Sequence, residues 1–291
     1  MHQQPAVGPG ASTPAERTIK IIHPASFNPF GSIRHLGILA DHLDLFLTLS
    51  LHRIRVRYKQ SALGIAWALL QPLSLMLIYT LIFSVVTKMP SNGMPYAVFV
   101  YAALLPWTYF SSAVTSATSS LVSHINLVTK VYIPREILPF SYIVVGIFDF
   151  SIASLVLAGL MVFYGVAVSG VVVWVIPILL IETMLIAALT LLFSAIQVQF
   201  RDLGLAMPLL MQLWMFSTPV VYPLSSVPAR FRTLYLLNPM AGVVESFRRV
   251  VLQRTAPDFG ALGESLIISA ILLPLAYIYF KYMDSNIADI I

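Results

Sequence analysis

Long apolar runs alternate with short clusters of charge over most of the chain. Between Lys59 and Lys88, 28 residues pass without Asp, Glu, Lys or Arg. About 20 apolar residues suffice to carry a helix across the hydrocarbon core. The charge gaps predict six spans, over residues 65–86, 97–119, 140–164, 171–197, 203–221 and 261–280. "TKMPSNGMPY" and "YGVAVSG" separate them where turn residues gather. The segment 222–257 has a different pattern. Phe231, Leu234 and Tyr235 fall on one helical face. So do Met240, Val243, Val244, Phe247 and Val251, with Glu245, Arg248 and Arg249 opposite. Asn238-Pro239 between the two reads as an N-cap followed by proline at the first helical position. Each piece is too short to cross, so this segment is expected either to dip in and return or to lie flat on the surface.

Composition supports a membrane protein. The 291 residues are 58% hydrophobic and only 10% charged, where a soluble domain carries about 25%. The net charge of +5 sits at the edges of apolar runs, which points to orientation and anionic head groups and away from nucleic acid. With the N-terminus inside, eleven Lys and Arg lie inside and six outside, five of them in 222–257. The short loops obey the positive-inside rule, and both termini are expected in the cytoplasm. Residues 1–30 are rich in Pro, Gly and Ser, lack a signal-peptide core and are expected to be a mobile tail. A cytoplasmic interface region over 31–60 and a membrane domain over 61–291 follow.

Catalytic signatures are missing. No GxxxxGK[ST], HExxH or GxSxG occurs, cysteine is absent, and all six histidines lie outside the predicted spans. Asp149 and Glu182 fall inside predicted spans, where they either line a conduit or sit near span ends within reach of water. Arg53, Arg55, Arg57 and Lys59 crowd the first span. At 100° per residue Arg53 and Arg57 share one face, and Arg55 and Lys59 lie nearly opposite. Pro72, inside that first span, removes a backbone donor and frees the carbonyl near Ala68.

Four stretches, in order, carry a family resemblance: "RVRYKQSALGIAWALLQPL", "NLVTKVYIPREILPFS", "QFRDLGLAMPLLMQLWMFSTPVVYPLSSVP" and "LNPMAGVVESFRR". From Asp44 to Lys281 the chain resembles permease subunits of polysaccharide-export ABC transporters, the exporters of O-antigen, teichoic acid and capsule. The resemblance implies an all-α integral membrane fold with an amphipathic interface helix before six spans and two re-entrant helices between spans five and six. It implies a homodimer in a bacterial inner membrane. Two cytoplasmic ATPase subunits would bind ATP and Mg, so this chain needs no cofactor. The substrate would be a glycan on a lipid pyrophosphate, most often O-antigen.

Residue roles follow from the same resemblance. Arg53, Arg55, Arg57, Tyr58, Lys59, Gln60 and Trp67 match the cytoplasmic gate, with Tyr79, Tyr101 and Trp107 as pathway aromatics. Asn126, Thr129, Lys130, Tyr132, Pro134, Arg135 and Glu136 match the element that couples to the ATPase. Pro219, Tyr222, Pro223, Asn238, Pro239, Met240, Glu245 and Arg248 match the outer gate. A membrane-embedded transferase acting on polyprenyl-linked sugars and a small-molecule efflux permease are the competing readings.

Overall fold

The computed structural model describes residues 42–59, 61–91, 93–130, 133–228, 230–231, 235 and 237–290, with the side chains of 128–130 and 285–290 excepted. The tail over 1–30, Gln60, Tyr132 and most of the first expected re-entrant helix lie outside the described residues. Among the described residues there is no strand.

The helices are α1 (Leu43–Lys59), α2 (Ala66–Tyr79), α3 (Tyr96–Thr118), α4 (Ser120–Ser123), α5 (Ile125–Lys130), α6 (Ile137–Phe163), α7 (Val175–Gln199), α8 (Leu203–Phe216), α9 (Pro239–Arg248) and α10 (Phe259–Ile290). Wider π-helical turns prolong α2 over Thr80–Val86 and α9 over Arg249–Gln253, and a 3₁₀ turn, Gly170–Trp174, leads into α7. Gly64, at φ +51, supplies the left-handed residue in the turn between α1 and α2.

Among the described residues, five helices are long and apolar enough to cross a membrane: Ala66–Val86, Tyr96–Thr118, Ile137–Phe163, Gly170–Gln199 and Phe259–Asp284. The span expected over 203–221 is shorter. α8 stops at Phe216 after 14 residues, about 21 Å at 1.5 Å per residue against a core of about 30 Å. The stop has a local cause. Proline at 219 disfavours helix at Thr218 before it, and the chain turns over Ser217–Pro219.

α3 is the axis of the bundle. Of its span window 78% is buried, against 11% for α2. Helices α2, α6, α7, α8 and α9 all pack against it. Two ends can be distinguished. At one end gather α1, the α4–α5 segment, the start of α6 and the end of α10. At the other, α9 packs on the starts of α3 and α10.

Candidate functional site

At the first end, α1 lies along α6 with very little apolar packing of its own. Only Ser50 and Arg53 are buried in it, while Leu43, Leu45, Leu47, Leu51 and Val56 are exposed. Polar joints hold it instead. The Arg53 guanidinium lies 4.1 Å from the centre of the Tyr142 ring, and its Nη1 is 3.5 Å from His124 Nε2. Arg57 pairs with Asp149 at 3.0 Å, and the Tyr58 hydroxyl donates to the other Asp149 oxygen. Burial, then the bond to Asp149, raises the Tyr58 pKa, so the phenol keeps its proton and donates. Of the four cations Arg53 is buried, Arg57 is exposed but turned to Asp149, and Arg55 and Lys59 are exposed with no ion pair among the described residues.

Between α1, α2, α3 and α6 a small polar cavity, about 60 Å³, is lined by Arg57, Tyr58, Trp67, Gln71, Tyr109 and Asp149 among others. Trp67 is half-exposed at its rim and Pro72 is one of its wall residues. Tyr79 is half-buried, its hydroxyl 3.6 Å from Met215 Sδ on α8. Tyr101 and Trp107, expected along a pathway, are core residues of α3. Tyr101 is fully enclosed and donates to the Ala153 carbonyl at 3.1 Å, and Trp107 packs on Phe110.

Asp149 and Glu182 lie near the middles of α6 and α7, not at span ends. Asp149 is absorbed by the α1 joint. Glu182 is fully enclosed, and its carboxylate oxygens have no hydrogen-bond partner among the described residues.

The segment expected to couple to an ATPase is divided. Asn126 on α5 is exposed, and Pro134 lies in the link to α6. The side chains of Thr129 and Lys130 are outside the described residues. Arg135, half-buried, and Glu136, buried, are engaged in ion pairs within the chain. Arg135 pairs with Asp284 at 2.7 Å, and Lys281 pairs with the buried Glu136 at 2.8 Å and with Asp284 at 3.7 Å. This network ties the link before α6 to the end of α10. The i,i+3 spacing of Lys281 and Asp284 is its only trace in the sequence.

At the other end, the expected cap appears. The Asn238 side chain accepts from Met240 N at 3.1 Å, and Pro239 occupies the first turn of α9. The same side chain accepts from Trp214 Nε1 at 2.9 Å and donates to the Thr218 hydroxyl and the Ser217 carbonyl, at 2.9 and 3.2 Å. Met240, Val243, Val244, Phe247 and Val251 form a buried face, as their spacing predicts. The reading of Arg248 as opposite the apolar face is corrected: at 100° per residue it stands about 40° from Val244, at the border of that face, and it is fully buried. Its Nη2 donates to the carbonyls of Pro219 and Val220 at 2.8 and 3.0 Å, Nη1 pairs with Glu245 at 3.1 Å, and the guanidinium lies 3.9 Å from the centre of the Phe99 ring. The reason is the broken helix: carbonyls released after α8 need donors in an apolar setting, and Arg248 brings several. Tyr96 caps the next carbonyl, Val221, at 2.6 Å. Tyr222 donates to Phe216 O at 2.7 Å and meets Tyr235 at 3.0 Å, and Pro219 and Pro223 are buried beside them.

Comparison with known proteins places these two ends in a family setting. The family model described as ABC-2 type transporter matches residues 44–252. An O-antigen export system permease protein of Myxococcus xanthus is 33% identical over 259 residues, covering 88% of this chain and 99% of the relative. A permease of the same description from Klebsiella pneumoniae is 29% identical, covering 76% of this chain and 84% of its own. A polysialic acid transport protein of Escherichia coli is 25% identical, covering 75% and 83%.

Proposed function

Since the chain belongs to the ABC-2 type transporter family, we propose that it is the membrane-spanning permease of an ATP-driven exporter that carries a lipid-pyrophosphate-linked, O-antigen-type polysaccharide out of the cytoplasm. The observation that carries this reading is the match to an O-antigen export permease across 99% of that relative's length. The chain is a transporter subunit and not an enzyme. It lacks a phosphate-binding loop, so ATP and Mg belong to two separate cytoplasmic ATPase subunits, docked at α5 and the link that follows it.

The charged end faces the cytoplasm of the inner membrane, in keeping with the positive-inside rule. With that orientation α8 and the pinned stretch after it complete a sixth crossing, and α9 is re-entrant from the outer side. The working unit is a homodimer. α2 and α8 offer the faces for it: Leu77, Leu81, Val85, Leu205, Leu209 and Leu213 are all more than half exposed, and Tyr79 bridges the two helices to Met215. Of the cations on α1, Arg55 and Lys59 meet the carrier phosphates, because Arg53 and Arg57 are engaged within the bundle.

The test is genetic. Deleting the partner ATPase should abolish surface polysaccharide while this chain still inserts in the membrane. Export that persisted without the ATPase would refute the reading.

A further inference from the structure

The joint between Arg53, His124 and Tyr142 has a feature that anchoring alone leaves unused. His124 is the turn residue between α4 and α5, immediately before the element assigned above to the ATPase. Its Nδ1 lies 2.9 Å from the Ser120 carbonyl, which can only accept, so Nδ1 carries the hydrogen. That leaves Nε2 as an acceptor, and it faces Arg53 Nη1. The ring orientation is thus set by α4, and its free lone pair points at α1.

The surroundings of this contact are hollow. Cavities of about 460 and 350 Å³ flank it, and both are lined by His52, Arg53 and His124. Arg53 Nε and Nη2 have no hydrogen-bond partner among the described residues. An α1 that was clamped by apolar packing would not have such space beside its one buried cation. Here a buried arginine crosses a gap to a histidine on a different element, and the gap leaves room for the side chain to re-seat.

We propose that His124 is a positioning residue for transport: it holds Arg53, and through it α1, so that movement of the α4–α5 segment is transmitted to the cytoplasmic gate. The inference rests on the docking of an ATPase at α5. Two discrete seats of α1, biased by the state of the ATPase, are what such transmission requires.

The chain has no cysteine, so Val56→Cys, at an exposed α1 position beside the second cavity, gives a single label. The full chain is reconstituted with its ATPase, and maleimide labelling of position 56 is compared without nucleotide and with ATP trapped by vanadate. With His124 present, the rate should change at least about threefold between the two states, the response of a two-state element whose populations shift. His124→Leu, which keeps bulk but loses the acceptor, should capture the ATPase as well as before yet abolish that change and depress surface polysaccharide. His124→Gln, which restores an acceptor toward Arg53, should recover most of both. The proposal is overturned if the labelling is indifferent to nucleotide with His124 present, if His124→Leu preserves the change, or if Gln is as damaging as Leu. Failure of the His124 chain to capture an ATPase at all is a separate result and refutes the proposed function itself.

Discussion

The two ends of the bundle use buried arginine in opposite ways. At the α8–α9 end, Arg248 spends its donors on the carbonyls of Pro219 and Val220 and on Glu245, and packs over Phe99. Asn238, Tyr96 and Tyr222 satisfy the neighbouring groups. At the α1 end, Arg53 reaches one aromatic ring and one imidazole across flanking cavities. Nε of Arg248 is unpaired among the described residues, but both of its terminal nitrogens are bonded, and several partners on one buried group favour a single arrangement, since each lost partner leaves an unpaired buried group. A sparsely partnered cation beside empty space has alternatives. The break in α8 is therefore the more firmly held of the two, and α1 is the part that the proposal above sets in motion.

The contrast is broken most strongly at Arg248. Arg248→Met keeps the volume and removes every donor from the carbonyls after α8, leaving Glu245 without its cation. Loss of one partner from a buried charged network costs about 3–5 kcal/mol. We expect a large fall in the thermal unfolding midpoint of the detergent-solubilised chain and failure to accumulate in the membrane. Arg53→Met, the matching change at the other end, should leave the midpoint much closer to the parent while depressing export. Equal destabilisation by the two would erase the distinction.

A smaller effect tests the same rigidity. Gly242 on α9 sits so close to α10 that an added Cβ would overlap the Ala261 carbonyl oxygen and Ser265 Oγ. Ser265 in turn donates to Pro239 O at 2.7 Å. Backbone on one side leaves no flexible neighbour to yield. Gly242→Ala should destabilise by about 1–3 kcal/mol, the usual range for overpacking, measured as a shifted midpoint. A neutral result would mean that α9 slides on α10.

How much of this was legible in the sequence depends on where each partner lay. The Asn238-Pro239 cap and the buried stripe of α9 were readable, because caps and helical faces are set within a few residues. Four of the five long spans begin and end within a few residues of the charge-gap reading, and α2 agrees once its π-helical extension is counted. The backbone acceptors of Arg248 were not readable. They lie 28 and 29 residues away and arise only because α8 stops early. Pro219 was the available signal for that stop. Arg135 and Glu136 read as surface charges because their partners, Asp284 and Lys281, are some 145 residues further on. Long-range ionic pairing has no periodicity in one chain.

On the exposed face of α1 the expected effect is confined to transport. Arg55→Gln with Lys59→Gln removes two exposed cations that make no ion pair among the described residues. Stability should stay within measurement, since surface charges contribute little. Export should fall by roughly tenfold if these side chains supply charge-assisted bonds to phosphate. Unchanged export in a correctly inserted variant would return the carrier contact to Arg53 and Arg57.

The smallest expected effect is a pH dependence at the loosely held end. Burial first, then the Arg53 charge, lowers the His124 pKa below its ordinary value of 6.5, against the opposing bond to Ser120. The groups that face it are His52, Arg53 and Arg57 on α1, Ser116 on α3 and Tyr142 on α6. None is an anion at neutral pH, so no neighbour rewards protonation. The neutral ring is the form that accepts from Arg53, and a depressed folded-state pKa means that this contribution is complete above 6.5 and is lost as pH falls through the folded value. Protonation would put a second donor and a like charge against Arg53. In a His52→Gln background, which leaves one histidine in the cleft, the nucleotide-dependent labelling of the Val56→Cys chain should therefore hold from pH 8 to about 7 and decline toward pH 5. His124→Gln should flatten the profile. A profile that declined equally with Gln at 124 would place the titrating group elsewhere and leave the contact with Arg53 a static anchor, as Arg248 is at the other end.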